Sequence, residues 1–355
     1  MLTTAMSTTD EPFAAGRAVH LPEEVWLQAV DVLRGAGSAT LVCHVAPDGD
    51  ALGSMLGLAR VLRAQGVDVT CTWGDATWVV PASYRWLPDI DTVVPPADVP
   101  ADNDVLVVLD TASRDRLGVL GPLADTAREL VVIDHHAHNS GLGGVQLVDS
   151  AAAATAVLVE ALVRRLVDTE RDGKVDPETA TLLYVGLVTD TGSFQHPVTT
   201  PAVHAVAARL LADGASPSDI ARRLWGTRSF GFNVVLGAAL SRMRLEADAV
   251  GGRGWVWTWT RHEDLRDAGV ELDEIEPVID VVRVTREADV AAVFKQDADG
   301  SFRVSTRSRG ATDVGAVCAS LGGGGHRLAA GFTSYDDVET TADRLRAALA
   351  QAPSP

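Results

Sequence analysis

The sequence predicts an α/β fold: a doubly wound parallel sheet with helices, followed by a second, smaller mixed α/β domain. Over about the first 200 residues, short and continuously apolar runs alternate with amphipathic stretches, which is typical of a parallel sheet covered on both faces. After Gly251 the pattern changes to an alternating strand and a hairpin. The 355 residues, 46% of them hydrophobic and 22% charged, suffice for two ordinary globular domains.

The first domain is predicted over residues 21–213, after a polar, aperiodic segment 1–20 that we expect to form a loose tail. A helix begins at Pro22, a residue suited to a first turn, and ends at Gly35. Five apolar runs then predict strands, at Thr40–Val45, Val67–Trp73, Val105–Leu109, Leu130–Ile133 and Val145–Val148. Amphipathic stretches between and after them predict helices, at Ala51–Ala64, Ala152–Leu166, Pro177–Val188 and Ala202–Leu211.

A helical connector is predicted over residues 214–245, and the second domain over residues 246–355. The elements expected in the second domain are a strand at Trp255–Trp259, a hairpin of Ala291–Phe294 with Phe302–Thr306, and helices at Val314–Leu321 and Val338–Leu349. Three tryptophans alternate along the first of these strands and so share one face of it. Hydrophobic packing is therefore the favoured interpretation of this face, with base stacking as the alternative.

The charge balance restricts the substrates. Lys and Arg number 30 and Asp and Glu number 48, so the net charge is −18. A surface this acidic repels long polyanions, and a sequence-independent binder of duplex nucleic acid would need the opposite sign. Local basic patches, or carboxylates neutralised by divalent cations, would still admit a small anionic substrate.

The cysteines and the N-terminal segment indicate a reducing compartment. Cys43, Cys71 and Cys318 are odd in number and far apart, so we expect reduced core residues and neither a disulfide framework nor a thiolate zinc site. The first residues lack a basic region followed by an apolar core, and no stretch approaches about 20 uninterrupted apolar residues. A cytoplasmic location without membrane contact is expected.

Acidic and histidine side chains follow the predicted strands of the first domain. They are His44, Asp48, Asp50, Asp110, Asp134, His135 and His136, with Asp190 at the end of a helix. The carboxyl ends of parallel strands line one crevice, where loops distant in sequence converge. Taken singly, an aspartate after a strand is more often a helix cap or turn former than a metal ligand. Their recurrence along one edge of the sheet favours a metal site.

The residue types of this group favour hard divalent cations. Several carboxylates in one crevice would raise one another's pKa values, and bound cations would remove that repulsion. Carboxylate oxygens with a minority of imidazoles suit manganese or magnesium, with iron or cobalt as alternatives. Two such cations would suit in-line attack on phosphorus.

At these residues the chain resembles the DHH phosphoesterases. Four motifs occur in the family's order, HVAPDGDALGS from His44, VLDTA from Val108, Asp134-His135-His136, and TDTGSF from Thr189. The last third resembles the DHH-associated C-terminal domain through Thr306–Arg309 and Gly322–His326. The resemblance spans about Ser38 to Phe332 and is nearest to the subgroup of oligoribonucleases that also act as phosphoadenosine-phosphate phosphatases.

The resemblance implies a centre with two manganese ions per subunit, for which Mg²⁺ or Co²⁺ are the alternatives. It assigns the first ion to His44, Asp48 and Asp110, and the second to Asp50, Asp110, His135 and Asp190. It further implies that Asp134 orients the histidine pair and that His136 faces the scissile phosphate. A further histidine, His138, is expected to be a loop residue.

The run Gly322–Gly325 is followed by His326 and Arg327. Glycines leave backbone N–H groups open to a phosphate, although a flexible loop is the simpler interpretation, and the P-loop pattern is absent. The region is locally basic, with Arg303, Arg307, Arg309 and Arg327, and a solvated strand face is the alternative to phosphate binding. By resemblance, the distal end of the substrate would contact Arg307, Ser308, Gly323, Gly324, Gly325 and His326.

The expected function is metal-dependent hydrolysis of short oligoribonucleotides to mononucleotides and removal of the 3'-phosphate of 3'-phosphoadenosine 5'-phosphate. Linear or cyclic di-adenylate are further candidate substrates by resemblance, and a homodimer is expected. The alternatives are a single-stranded DNA exonuclease, a pyrophosphatase or exopolyphosphatase, and a non-catalytic nucleotide sensor. The complete set of expected ligands favours an enzyme.

Overall fold

The computed structural model describes residues 17–100, 102, 104–136, 141–167 and 173–352. The first sixteen residues of the predicted tail, and His138, lie outside the described residues. The chain divides into two units between Gly226 and Thr227.

Five strands form a wholly parallel sheet in the first unit, with the order β2-β1-β3-β4-β5. The strands are β1 Ser38–Cys43, β2 Asp68–Trp73, β3 Val105–Leu109, β4 Glu129–Asp134 and β5 Val145–Val148. The sequence predicted all five to within two residues at each end. β3 is buried along its whole length, as expected for a strand covered on both faces.

The α-helices of the first unit cover both faces of this sheet. They are α1 Glu23–Arg34, α2 Gly49–Ala64, α3 Leu123–Thr126, α4 Thr155–Leu166, α5 Pro177–Asp190, α6 Pro201–Ala212 and α7 Pro217–Leu224. One face of the sheet packs on the large core that includes α1, α2, α4 and α5. The other face is covered by α3 and the 3₁₀ segment Asp115–Leu120. The predicted doubly wound α/β class is confirmed.

Helices α2 and α5 cross unusually closely, because glycines recur at every fourth position of α2. A Cβ atom added to Gly53 would lie 2.3 Å from the carbonyl oxygen of Leu182, and one added to Gly49 would lie 2.6 Å from the hydroxyl of Thr189. Gly57 continues the same face of the helix. The first turn of α2 is therefore held against the last turn of α5.

The second unit contains a mixed six-stranded sheet with the order β10-β11-β9-β8-β7-β6. The strands are β6 Arg244–Glu246, β7 Trp255–Thr260, β8 Val290–Gln296, β9 Phe302–Ser308, β10 Gly324–His326 and β11 Ala329–Ser334. The helices are α8 Phe230–Ser241, α9 Ala249–Gly252, α10 His262–Ala268, α11 Val278–Val282, α12 Val314–Ser320 and α13 Val338–Ala350. Among the described residues of this sheet, β7 and β8 pair in parallel, and the other neighbouring strands pair antiparallel. The predicted mixed domain and its hairpin of β8 and β9 are confirmed.

The division between the units falls inside the predicted connector 214–245, so that segment is shared rather than separate. Helix α7 belongs to the first unit because Ile220 is buried in its core. Helix α8 belongs to the second because Val235 is buried there. Near the N-terminus, Ala18 and Val19 pack against the core of the first unit. The last residues of the predicted tail 1–20 are therefore part of the folded unit.

The tryptophan face of β7 packs as the sequence favours. Trp255 and Trp257 are buried and stack with ring centroids 5.5 Å apart. The guanidinium of Arg346 lies over Trp255, and that of Arg244 lies over Trp257 and Trp259. Hydrophobic packing and cation–π contacts thus explain the three tryptophans on this face of β7.

Two further expectations concern the thiols and the membrane. All three cysteines are buried and unpaired, as predicted. Over the described residues, every helix falls short of the length and apolarity needed to cross a bilayer.

Candidate active site

The structure brings all six predicted metal ligands together at one edge of the parallel sheet. His44 follows β1 and Asp110 follows β3, and these strands are neighbours in the sheet. The close contact of α2 with α5 adds Asp50 and Asp190 from the two helix ends. Three groups of side chains have ligand atoms within 4.8 Å of one another, namely His44, Asp48 and Asp110; Asp50, His135 and Asp190; and Asp110, His135 and His136.

Asp110 lies at the centre of these groups. One of its carboxylate oxygens, Oδ2, is 3.3 Å from Nε2 of His44, and the other, Oδ1, is 3.6 Å from Nε2 of His135. The residue is 2% exposed and adopts a left-handed backbone conformation with φ of 58°, which is strained for a residue with a side chain. Its N–H donates to the carbonyl of Ile133 in β4, which fixes this turn.

Asp50 is fully buried and is held by the start of α4. The N–H of Thr155 donates to its Oδ2 at 2.6 Å, and the N–H of Ala156 donates to its Oδ1 at 2.9 Å. The hydroxyl of Ser54 lies 3.3 Å from the same Oδ1. The first N–H groups of a helix have no partner within the helix, so they suit a buried anion.

Asp48 caps helix α2, which was the alternative that the sequence left open. Its Oδ1 accepts from the N–H groups of Asp50 and Ala51, each at 3.0 Å. The same oxygen lies 3.9 Å from Nε2 of His44, and the side chain is 53% exposed. Capping uses Oδ1 and leaves Oδ2 free of these bonds, so capping and metal binding are compatible.

The histidine pair is oriented by two different groups. Asp134 is buried, and its Oδ1 lies 2.7 Å from Nδ1 of His136 and accepts from the N–H of that residue at 3.1 Å. This hydrogen bond raises the pKa of His136. His135 has instead the carbonyl of Ala152 3.4 Å from its Nδ1, and its Nε2 lies 3.1 Å from Oδ2 of Asp190.

Burial and mutual repulsion raise the pKa values of three carboxyl groups of the site. Burial raises the pKa of Asp110 well above its usual range, and the charges of Asp50 and Asp48 add to the shift. Burial raises the pKa of Asp190 to about 9, with the same two charges as further causes. Burial also raises the pKa of Asp50, which His135 partly opposes. Divalent cations would remove this repulsion, and the oxygen-rich donor set with two imidazoles fits them.

Two further side chains of the site were missed by the sequence analysis. The hydroxyl of Thr155 donates to Oδ1 of Asp110 at 2.8 Å. Burial, with the charge of Asp48 second, raises the pKa of the Tyr84 phenol, which the backbone N–H of Gly49 partly opposes. Thr155 follows a run of four alanines, and its place in the first turn of a predicted helix was a sequence signal that could have identified it as a site residue. Tyr84 lies in a segment without periodicity, and no sequence signal marked it as a site residue.

In the second unit, the predicted substrate residues Arg307 and His326 lie on the two strands that flank β11. His326 of β10 and Arg307 of β9 are both in register with Ala329 of β11. Arg307 is partly buried, burial lowers its pKa, and its guanidinium donates to the carbonyl of Thr306. The hydroxyl of Ser308 accepts from two N–H groups of its own loop, those of Gly310 and Thr312, and donates to Asp289.

The other three arginines of the predicted basic region bind groups of the second unit itself. Arg303 forms ion pairs with Asp273 and Asp297. Arg309 donates to the carbonyls of Thr285 and Arg286, and Arg327 donates to the carbonyl of Gly310.

Gly324 and Gly325 belong to the edge strand β10, and Gly322 and Gly323 precede it, so the interpretation as a flexible loop was wrong for the second half of the run. A Cβ atom on Gly323 would lie 2.1 Å from the carbonyl oxygen of Gly331, and one on Gly325 would lie 2.6 Å from that of Ala329. These two glycines allow β10 to approach β11. Gly324 has open space at the same position, so packing against the described residues does not explain it.

Comparisons with known proteins identify the family. Residues 38–187 match the DHH family, N-terminal domain, and residues 260–353 match the DHHA1 domain. A bifunctional oligoribonuclease and PAP phosphatase NrnA of Thermus thermophilus is 34% identical over 299 residues, 84% of each chain. The chain belongs to the DHH family of phosphoesterases. The resemblance seen in its motifs is confirmed, and the protein is a phosphodiesterase or phosphatase.

Other DHH relatives agree with this assignment. The NrnA of Bacillus subtilis, with the same description, is 28% identical over 311 residues, covering 86% of this chain and 91% of the relative. An exopolyphosphatase-related protein of Bacteroides fragilis has the same fold, with a TM-score of 0.84 at 22% identity and coverage of 93% and 96%. RecJ of Thermus thermophilus, solved in complex with Mn²⁺, has a TM-score of 0.53 at 16% identity and covers 94% of this chain and 56% of its own. The two structures support the fold.

Proposed function

We propose that this DHH phosphoesterase is a manganese-dependent hydrolase of short oligoribonucleotides that also removes the 3'-phosphate of 3'-phosphoadenosine 5'-phosphate. The observation that carries the proposal is the cluster of His and Asp side chains around Asp110. The relatives named bifunctional oligoribonuclease and PAP phosphatase cover most of the chain and support the same substrates.

The ligand assignment follows the resemblance to the family and is supported by the three groups around Asp110. We assign one cation to His44, Asp48 and Asp110, and a second to Asp50, Asp110, His135 and Asp190. When bound, the cations would lower the pKa of a nucleophilic water and neutralise charge on the phosphate. Mg²⁺ and Co²⁺ are the alternatives to Mn²⁺, since the donor set suits each of them.

The chain itself contributes orientation and a proton donor. The start of α4 holds both oxygens of Asp50, so this carboxylate keeps its direction. Nδ1 of His136 is hydrogen-bonded to Asp134, so Nε2 of the same ring remains available to bind the substrate phosphate. Asp134 raises the pKa of His136 and so favours the protonated ring, whose Nε2–H would donate to a phosphoryl oxygen.

The substrate should be short. A net charge of −18 disfavours long polyanions, whereas a dinucleotide presents few phosphates and needs only a local basic group. We assign the end of the substrate distal to the scissile bond to Arg307, Ser308, Gly323, Gly324, Gly325 and His326. Gly324, open at its Cβ position, suits close approach of a phosphate to the backbone. Linear or cyclic di-adenylate are additional candidate substrates, and a homodimer is the proposed assembly.

The experiment compares a labelled RNA dinucleotide with a long RNA, in Mn²⁺ and in chelator. We expect mononucleotide release from the dinucleotide in Mn²⁺ alone, and none from the variant Asp110→Ala. Asp68→Ala, which changes an exposed aspartate at the opposite end of the sheet, should remain active. A nucleotide sensor would bind the dinucleotide without releasing product, and an exonuclease for long strands would prefer the long RNA. Near-normal turnover by Asp110→Ala in excess Mn²⁺ would contradict the assignment.

A further inference from the structure

We propose that Thr155 is a positioning residue that sets Asp50 and Asp110 at a fixed separation for cation binding. The inference rests on the proposed function, because it concerns the cations assigned above. It assigns a role to a residue outside the predicted ligand set.

Two donors of this one residue reach two different carboxylates. The hydroxyl donates to Oδ1 of Asp110 at 2.8 Å, and the backbone N–H donates to Oδ2 of Asp50 at 2.6 Å. All three residues are almost completely buried, with exposed fractions of 0% for Thr155 and Asp50 and 2% for Asp110. Both hydrogen bonds are therefore shielded from exchange with water.

The place of Thr155 in the fold makes its donors rigid. It is the first residue of α4, so its N–H has no acceptor within the helix and is free for Asp50. Its β-branched side chain has few rotamers, which limits the directions of the hydroxyl. The preceding residue, Ala154, is extended and offers no side-chain cap of its own.

These bonds act on two carboxylates of the proposed centre, Asp50, assigned to the second cation, and Asp110, assigned to both. Each carboxylate oxygen can accept about two hydrogen bonds or ligand contacts, so one bond from Thr155 leaves room for a cation. Without the hydroxyl, Asp110 could rotate, and Oδ1 would lose its donor in a buried place. Loss of such supporting bonds typically weakens metal binding by about 10- to 100-fold.

The test measures Mn²⁺ binding directly, from the electron paramagnetic resonance signal of free Mn²⁺ and by calorimetry. Thr155→Val removes the hydroxyl at nearly constant shape, and Thr155→Ser keeps it. We expect about a 10- to 100-fold rise in the dissociation constant for the valine variant and a near wild-type constant for the serine variant. Thr40→Val is the matched control, because Thr40 is also buried but its hydroxyl has no hydrogen-bond partner in the described structure.

The outcomes separate this inference from the proposed function. Failure of the wild-type protein to bind Mn²⁺ would overturn the proposed centre itself. Normal Mn²⁺ binding by Thr155→Val, or equal losses in the valine and serine variants, would overturn the role of Thr155. Circular dichroism checks folding, and Thr155→Ala replaces the valine variant if the latter does not fold.

Discussion

Substitution of Gly53 by alanine should separate α2 from α5 and damage both stability and the site. The new Cβ atom would lie 2.3 Å from the carbonyl oxygen of Leu182 and 3.1 Å from the nitrogen of Gly186. Both neighbours are backbone atoms, so relief requires the helices to move apart by about 1 Å. We expect overpacking to cost about 3 kcal/mol. The higher helix propensity of alanine offsets about 1 kcal/mol, for a net loss of about 2 kcal/mol.

Urea unfolding and steady-state kinetics check this prediction. Gly237→Ala is the control, because that glycine lies within α8 and has open space around its Cβ position. The control should gain about 1 kcal/mol of unfolding free energy, so the two variants should differ by about 3 kcal/mol. Movement of the helix ends displaces Asp50 and Asp190, and a shift of about 1 Å should lower kcat/KM about 100-fold. Equal stability of the two variants would refute the packing analysis.

Three further predictions concern binding, a buried ion pair and the metal. Arg307→Ala should raise KM for an RNA dinucleotide more than it slows hydrolysis of a small activated phosphodiester, and equal losses would remove its anchoring role. Glu160→Ala should lower the unfolding free energy by about 2 kcal/mol, measured in urea, because it removes the buried carboxylate that both Arg164 and Arg209 bind, and Arg164 keeps only its second partner, Asp213. Mn²⁺ at about 100 times its dissociation constant should stabilise the wild-type protein by about 2.7 kcal/mol in the same assay. A smaller gain is expected for Asp110→Ala, and an equal gain would show that Mn²⁺ binds elsewhere.

The parallel sheet and the candidate ligands could be predicted because their signals are local. Each strand is a continuous apolar run, and Asp110 and the residues from Asp134 follow such runs directly. Convergence of these residues then follows from the general property that the carboxyl ends of parallel strands form one edge. His44, Asp48 and Asp50, around the start of α2, lie within seven residues of one another, so their grouping needs little tertiary information.

The start of α4 could not be predicted, because a tertiary contact decides it. The alanine run favours a helix from Ala152, whereas the helix begins at Thr155. The N–H groups of Thr155 and Ala156 bind Asp50, which is 105 residues away from Thr155 in sequence. Intrinsic propensity has no access to such a partner.

The glycine run was misinterpreted for a related reason. Glycine is depleted in strands, so Gly322–Gly325 predicts a loop. Pairing with β11 overrides this preference, since Gly323 and Gly325 meet the backbone of that strand where a side chain would not fit. Local patterns could not predict the boundary between the two units either, because α7 and α8 are both helices with apolar residues, and the core in which each is buried decides the unit to which it belongs.

The buried cysteines offer a chemical reporter for each unit. Cys43 and Cys71 lie in the core of the first unit, and Cys318 lies in that of the second. Burial raises the pKa of Cys71 to about 12, so its thiol stays protonated and inert while the fold is closed. Timed alkylation followed by peptide mass spectrometry would thus record the opening rate of the two cores separately within one intact chain. The same burial should let the enzyme survive mild oxidants that inactivate proteins with accessible thiolates.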